Sequence, residues 1–251
     1  MKIDHAALRA SFESAQHGRA SNHSAENRRS PSIWQFDYLV LRELRIDVEA
    51  LLATVGELGD VSTARRAVDI GSFQSPYKEL LTARGFTTLT LDLTREHGAD
   101  LAGTAEATGL DDESVDLVIC TQVLEHTRSP SACVREFHRV LRPGGAMLIS
   151  VPHVWFFHPH PGDYWRLTQE GAVALCEDNN FTVDELRIQG GSLLAFGQIL
   201  NFLVYGVLGP MGAPLYGVVN LVSSVADRLL PNELFSLNVA VLAHKNAASA
   251  A

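Results

Sequence analysis

Val68-Asp69-Ile70-Gly71-Ser72-Phe73-Gln74-Ser75-Pro76 is the stretch whose reading decides the fold. The apolar run Ala67 to Ile70 reads as a strand and ends in a glycine turn. Ser75, Pro76 and Tyr77 then supply an N-cap with proline at the first helical position, and Gly85 closes that helix. Outward from this strand, turn and helix the pattern repeats. Upstream, Leu41, Leu44, Val48, Leu51, Leu52 and Val55 recur at spacings of three and four, which predicts a helix with one buried stripe. Downstream, Thr87 to Asp92, Asp116 to Cys120 and Met147 to Val151 read as strands. Between the last two, SPSACVREFHRVLRPGG puts Cys133, Phe137, Val140 and Leu141 on one helix face, with Pro143-Gly144-Gly145 as the stop. A further helix is expected near Thr168 to Asn179, then strands at Thr182 to Gln189 and Leu234 to Ala243. Alternating strands and helices predict an α/β fold, doubly wound and Rossmann-like, with a mostly parallel sheet and helices on both faces.

With 251 residues, 46% hydrophobic and 20% charged, the chain is not disordered along its length. Its net charge of −9 gives no general attraction to phosphate backbones, so no nucleic acid partner is expected and a small molecule is the default ligand. Cys120, Cys133 and Cys176 show no CxxC spacing, which fits a cytoplasmic protein without a disulfide framework or structural zinc. The first residues carry no apolar core of the secretory type. Residues 1–32, rich in Ser, His, Arg and Ala, read as a flexible N-terminal tail and a candidate cover for a ligand, and 33–251 as the folded domain.

In an open parallel sheet the ligand sits beyond the carboxyl ends of the strands where strand order reverses, so the turn after the first strand is the place to look. A dinucleotide fingerprint requires a second glycine so that backbone can approach a pyrophosphate; Phe73 stands there, and the third glycine is also missing. That disfavours a nicotinamide oxidoreductase. What remains is Asp69, Gly71 and a second acid, Asp92, at the end of the next strand, able to accept hydrogen bonds from ribose hydroxyls. The pattern predicts a nucleoside ligand without phosphates.

The series VDIGS, LTLD, AEATGLDDESVDLVICTQVLEH and REFHRVLRPGGAMLISVP, in this order over Val68 to Pro152, resembles the class I S-adenosylmethionine-dependent methyltransferases, in particular the type 11 methyltransferase-domain group. The resemblance implies a seven-stranded sheet with an antiparallel last strand and S-adenosylmethionine as cofactor. It implies that Asp69 and Gly71, with Ser72 and Phe73, hold the methionine part, that Asp92 and Leu93 lie at the ribose, that Ala105 and Glu106 flank the adenine, and that Thr121 and Gln122 border the reacting methyl group. Phe73 and Thr104 depart from the family's usual Gly and Asp, and Asp100 is a candidate substitute for the missing acid.

Methyl transfer to a hydroxyl requires alignment and removal of a proton, for which histidine is the natural base. His158 and His160, in the loop after the fifth strand, are the first candidates, followed by His126 after the fourth strand and His153. Tyr164 and Trp165 are expected to wall the acceptor site. A metal held by these histidines and Asp163 competes with that reading, but HxxxxHxH is not a recurrent zinc spacing, and no metal is expected.

From Ile188 to Ala226 the chain has no Asp, Glu, Lys or Arg. Pro210 to Pro214 reads as a turn between two apolar helices, about Leu193 to Leu208 and Leu215 to Leu230, so that 190–231 forms a helical hairpin inserted before the last strand. Such a hairpin must be buried against something: its own domain, a second copy as a homodimer, a hydrophobic acceptor, or a membrane surface by peripheral contact. The sequence therefore predicts an O-methyltransferase acting on a small-molecule, saccharide or lipid-linked acceptor, with a non-catalytic binding module of the same fold as the alternative.

Overall fold

A computed structural model describes residues 24–57, 65–158 and 161–246. Seven strands form one sheet in the order β3-β2-β1-β4-β5-β7-β6. They are β1 (Arg65–Ile70), β2 (Phe86–Asp92), β3 (Leu101–Ala102), β4 (Val115–Thr121), β5 (Leu141–Pro152), β6 (Phe181–Gln189) and β7 (Asn238–Lys245). Strands β1 to β5 pair in parallel, and β7 runs antiparallel to both β5 and β6. Chain order reverses between β1 and β4, so the crevice expected of a doubly wound sheet opens beyond their carboxyl ends.

The central strands are continuous apolar runs because both of their faces are covered. On one face Val68, Ile70, Val118, Cys120, Met147 and Ile149 pack with Phe137 and Val140 of α4 (Pro130–Val140) and Ala172 and Cys176 of α5 (Gln169–Glu177). On the other, Ala67, Leu117, Ile119 and Leu148 meet Leu44, Val48, Leu51 and Leu52 of α2 (Tyr38–Glu57) and Leu81 of α3 (Lys78–Ala83).

Several local expectations are corrected. Ser75 does not cap a helix: it has φ +47°, its hydroxyl donates to Asp69 at 2.8 Å, and α3 begins only at Lys78. The Pro143-Gly144-Gly145 stop lies within β5, where pairing with β4 slips between Val115 and Leu117 and Gly144 takes φ +75°. The last strand begins at Asn238 rather than Leu234. Strand β3 has two residues, too few to show a period of two. Most of the tail expected over 1–32 lies outside the described residues. Its end forms α1 (Ala25–Arg29), whose first amide donates to Gln74 Oε1 at 2.9 Å and whose Arg29 pairs with Glu79.

The uncharged run forms α6 (Ser192–Leu208) and α7 (Ala213–Leu229), joined by the turn Gly209–Gly212. Ser192–Leu229 is long and apolar enough to cross a membrane by length and composition, but Gly209 (φ +54°) and Pro210 fold it back on itself. The two helices pack closely along their length. A Cβ on Gly197 would lie 2.1 Å from Ser223 Oγ, and Asp227 accepts the Gly191 and Leu193 amides at the start of α6, each at 3.2 Å. Polar side chains of the hairpin turn inward. Asn201 donates to Asn220 Oδ1 at 2.7 Å, Asn220 donates to the Ile33 and Gln35 carbonyls at 2.7 and 2.9 Å, and Gln198 donates to the Phe36 carbonyl at 2.7 Å. The outer face is apolar and open, with Val207 and Met211 each 83% exposed.

These buried amides stitch the hairpin to the segment before α2. Asn220→Ala removes the acceptor of Asn201, whose own Oδ1 already lacks a partner, and orphans two carbonyls. It should destabilise the protein by about 2–4 kcal/mol. Urea denaturation checks this: the midpoint falls at unchanged slope, and an unmoved midpoint contradicts the role.

Candidate functional site

The turn after β1 is held from below by β2. Gly71 and Ser72 donate their amides to the Leu91 carbonyl at 2.8 and 3.2 Å. Gly71 has φ +67°, and a Cβ there would stand 2.3 Å from Val123 Cγ2, in the turn after β4. Glycine is therefore required twice, by conformation and by the close approach of the two turns. Asp69 is buried beneath it. Burial pushes its carboxyl up to about 6, Asp92 adds to that, and the Ser75 hydroxyl, Arg28 and Lys78 oppose it.

Asp92 ends β2 half-buried. Its carboxylate accepts the Phe73 amide at 2.6 Å and the Leu93 amide at 2.7 Å, which holds the turn in place and still leaves lone pairs toward the crevice. Phe73 keeps the left-handed backbone, φ +47°, that a glycine adopts freely, and its ring lies 4.2 Å from that of His97. The Ser72 hydroxyl is buried without a hydrogen-bond partner. Leu93 is exposed, Ala105 buried and Glu106 half-buried just past β3. Thr121 closes β4, and Gln122, at φ +57°, is fixed to Ser150 of β5 by its amide (2.8 Å) and its side chain (3.1 Å). Asp100, the candidate substitute acid, accepts the Thr90 amide and hydroxyl on Oδ2, at 3.0 and 2.9 Å, with Lys78 at 3.7 Å.

A second group forms where the loops after β4 and β5 meet. Glu125 and His126 lie on the 3-10 turn Leu124–His126. The Tyr164 amide donates to the Glu125 carbonyl at 2.8 Å, and the Trp165 indole donates to the Thr127 carbonyl at 3.0 Å, joining the loops. The rings of His126 and His158 stand edge to face, 4.8 Å apart. His126 Nδ1 is hydrogen-bonded to the Gly162 carbonyl, and its Nε2 lies 3.8 Å from Glu125 Oε1. The His158 amide donates to Asp163 Oδ2 at 3.0 Å, its Nδ1 lies 3.1 Å from the Phe156 carbonyl, and Arg166 clamps Asp163 at 2.8 Å. Burial lowers the pKa of both imidazoles, while Asp163 partly opposes this. Burial also raises Glu125 to about 8, and its Oε2 has no partner. Burial works against ionisation of Asp163 too, but the Arg166 hydrogen bond and the His158 amide outweigh it and hold that carboxyl below its usual range.

Of the four candidate histidines, the structure thus brings His126 and His158 together. His153 stands elsewhere, with its amide on the Leu237 carbonyl and Nδ1 3.0 Å from the Leu167 carbonyl, and His160 lies outside the described residues. Glu125-His126 and the loop of His158 and Asp163 are expected from the sequence to leave the same sheet edge, whereas Arg166 was missed as a member of this group. Glu125 adjoins a candidate histidine, and Arg166 follows Asp163 at a spacing suited to an ion pair, but only the meeting of two loops shows their roles. From His158 an aromatic path leads to the hairpin. Phe156 lies 5.7 Å from the His158 ring and 4.4 Å from Phe202 of α6, and Phe36 lies 4.2 Å from Tyr205.

The family model for the methyltransferase domain matches residues 68–149. A protein of Mycolicibacterium smegmatis named a probable S-adenosylmethionine-dependent methyltransferase is 48% identical over 93 residues, covering 34% of this chain and 36% of that one. The chain thus spans about a third of that curated relative's length. Among solved structures, a SAM-dependent methyltransferase from Archaeoglobus fulgidus has a TM-score of 0.52 at 15% identity, covering 88% of this chain and 97% of that one. Phosphoethanolamine N-methyltransferase 2 of Haemonchus contortus, solved with S-adenosyl-L-methionine, has a TM-score of 0.51 at 17% identity, covering 86% of this chain and 60% of that one. These structural likenesses establish the fold.

The contact between the two turns is testable without any ligand. Gly71→Ala forces a Cβ into Val123 and into a left-handed backbone, and should cost about 2–4 kcal/mol. Adding Val123→Ala should restore part of that loss in a double-mutant cycle of thermal or urea unfolding; strict additivity would show that the turns are uncoupled.

Proposed function

Because this chain carries a class I S-adenosylmethionine-dependent methyltransferase domain, we propose that it moves the methyl group of that cofactor to a hydroxyl oxygen of an acceptor with an apolar part, such as a lipid-linked saccharide. The residues present fit the cofactor. The Ser72 hydroxyl is buried with no partner, and two acids, Asp69 and Asp92, stand at successive strand ends. In this reading Asp69 and Gly71 hold the amino-acid end, Asp92 the ribose, Ala105 and Glu106 the adenine side, and Thr121 and Gln122 border the methyl end. The cofactor supplies an electrophilic methyl on a sulfonium.

The chain's own task is to align the acceptor and let its proton leave. The observation that carries this reading is the convergence of Glu125 and His126 after β4 with His158 and Asp163 after β5, at the carboxyl edge of the sheet. Asp163 and the Phe156 carbonyl fix the His158 ring, and half-exposed Tyr164 and Trp165 provide walls beside it. The apolar part of the acceptor is supported by the aromatic path through Phe156 and Phe202 to the open hairpin face.

Calorimetry with S-adenosylmethionine and its homocysteine product should give one site, weakened at least about tenfold by Asp92→Asn, since a hydrogen bond to a charged group contributes about 1.5–3 kcal/mol. Absence of binding to either ligand would favour a binding module of the same fold. Assayed with labelled methyl on polyprenyl-linked and free saccharides, His158→Ala should lower turnover by about 10²–10⁴ and leave cofactor affinity in place. Equal turnover would remove His158 from the reaction.

Cofactor affinity should also depend on pH through Asp69. Its folded value of about 6 lies above the ordinary 3.8, so the ligand-free fold keeps a proton that the unfolded chain has lost. Its contribution to stability is full below about 3.8 and fades as pH rises through 6. A ligand carrying an ammonium prefers the carboxylate, so affinity should rise from pH 5 to pH 7, with proton release near pH 6. In Asp69→Asn the slope should vanish. A slope that persists in that variant assigns the titration to another group.

A further inference from the structure

We propose that Glu125, His126 and His158 form a binding site for one divalent first-row transition ion of the zinc type. Ligand atoms of these three residues all lie within 4.8 Å of one another, with Glu125 Oε1 and His126 Nε2 at 3.8 Å. In a tetrahedral site with bonds of about 2.0–2.1 Å, ligand atoms stand about 3.3 Å apart. The widest pair therefore closes by about 1.5 Å on binding.

Three observations point to an ion. Glu125 is 1% exposed and its Oε2 has no hydrogen-bond partner, an arrangement that costs free energy until something positive or protic faces it. Both histidines have Nδ1 engaged by oxygen, His126 by the Gly162 carbonyl and His158 by the Phe156 carbonyl with Asp163 Oδ2 at 3.3 Å, so that each ring keeps Nε2 as the ligand nitrogen. A carbonyl or carboxylate behind each imidazole is the usual outer shell of a metal-bound histidine, and here Arg166 in turn anchors Asp163. Two imidazoles and one carboxylate suit Zn²⁺ and its neighbours better than Mg²⁺ or Ca²⁺, which prefer all-oxygen shells.

Three protein ligands leave a fourth position open, as catalytic sites do. If the methyltransferase reading holds, on which this one step rests, the acceptor hydroxyl takes that position. Its oxygen lone pair binds the ion, its O–H proton passes to solvent or buffer, and the resulting alkoxide forms the new bond to the methyl carbon as the carbon–sulfur bond breaks.

The test needs no acceptor. The full chain, freed of metal with a chelator, is titrated with Zn²⁺ by calorimetry and with Co²⁺ by visible absorption. One ion per chain is expected, with the intense band of a four- or five-coordinate cobalt site. Glu125→Gln and His158→Ala should each weaken binding by at least about tenfold, Asp163→Asn by about 10–100-fold, and His153→Ala by nothing measurable. No binding of either ion, or binding equally tight in Glu125→Gln, overturns the site. The cobalt band of the unsubstituted protein decides the matter even where a variant fails to fold. S-adenosylmethionine titrated into the metal-free protein is a separate measurement. Cofactor binding without ion binding overturns the ion site alone; ion binding without cofactor binding upholds the site and overturns the methyltransferase reading.

Discussion

Everything at the carboxyl edge of the sheet depends on the contact between Gly71 and Val123. Parallel strands place their loops at one end, but loops of ordinary residues would be held apart by their own side chains. Without a Cβ at position 71, the turn after β1 lies directly against the turn after β4. Asp69 and Asp92 then stand on one side of that contact and Glu125 and His126 on the other. The β-strand order brings the two turns to neighbouring positions, and the missing side chain brings them into touch. The strain accepted at Phe73, Ser75 and Gln122, all at positive φ, clusters around the same point. That is where strained backbone is expected when a site, rather than the core, sets the conformation.

The sheet was largely legible in the sequence because its signals are local. Apolar runs for β1, β4 and β5 follow from burial on both faces, and the stripe of α2 from burial on one. The errors arose where tertiary contacts overrode local preference. Ser75 precedes a proline and has the chemistry of a cap, yet its hydroxyl serves buried Asp69. Pro143-Gly144-Gly145 looks like a stop, yet Leu141 already pairs with Val115, and the proline and glycines accommodate a slip in register. The candidate site divides in the same way. Asp69, Gly71 and Asp92 are read from spacing along one segment. The union of Glu125, His126 and His158 depends on two loops far apart in the chain, and no spacing within either loop predicts it.

The hairpin reverses the usual distribution of polarity. Asn220 and Gln198 face the body and donate to backbone carbonyls of Ile33, Gln35 and Phe36, while Leu203, Val207, Val218 and Leu221 face outward. On that outer face Leu203, Val207, Met211 and Leu229 are between 64% and 83% exposed. Its link to the histidine pair is the edge-on contact of Phe156 with Phe202, whose ring centroids lie 4.4 Å apart.

Gln189 and Asn238 are register partners at the ends of β6 and β7. The chain therefore leaves the sheet and returns to it at a single rung, and all of α6 and α7 is a detour between two adjacent positions. It hangs on one rung of the sheet and is fastened elsewhere, through Asn220 and Gln198, to the segment before α2. The rung thus separates the outward-facing module from the edge that carries Asp69, Gly71 and Asp92, and the strand order is the same on either side of it.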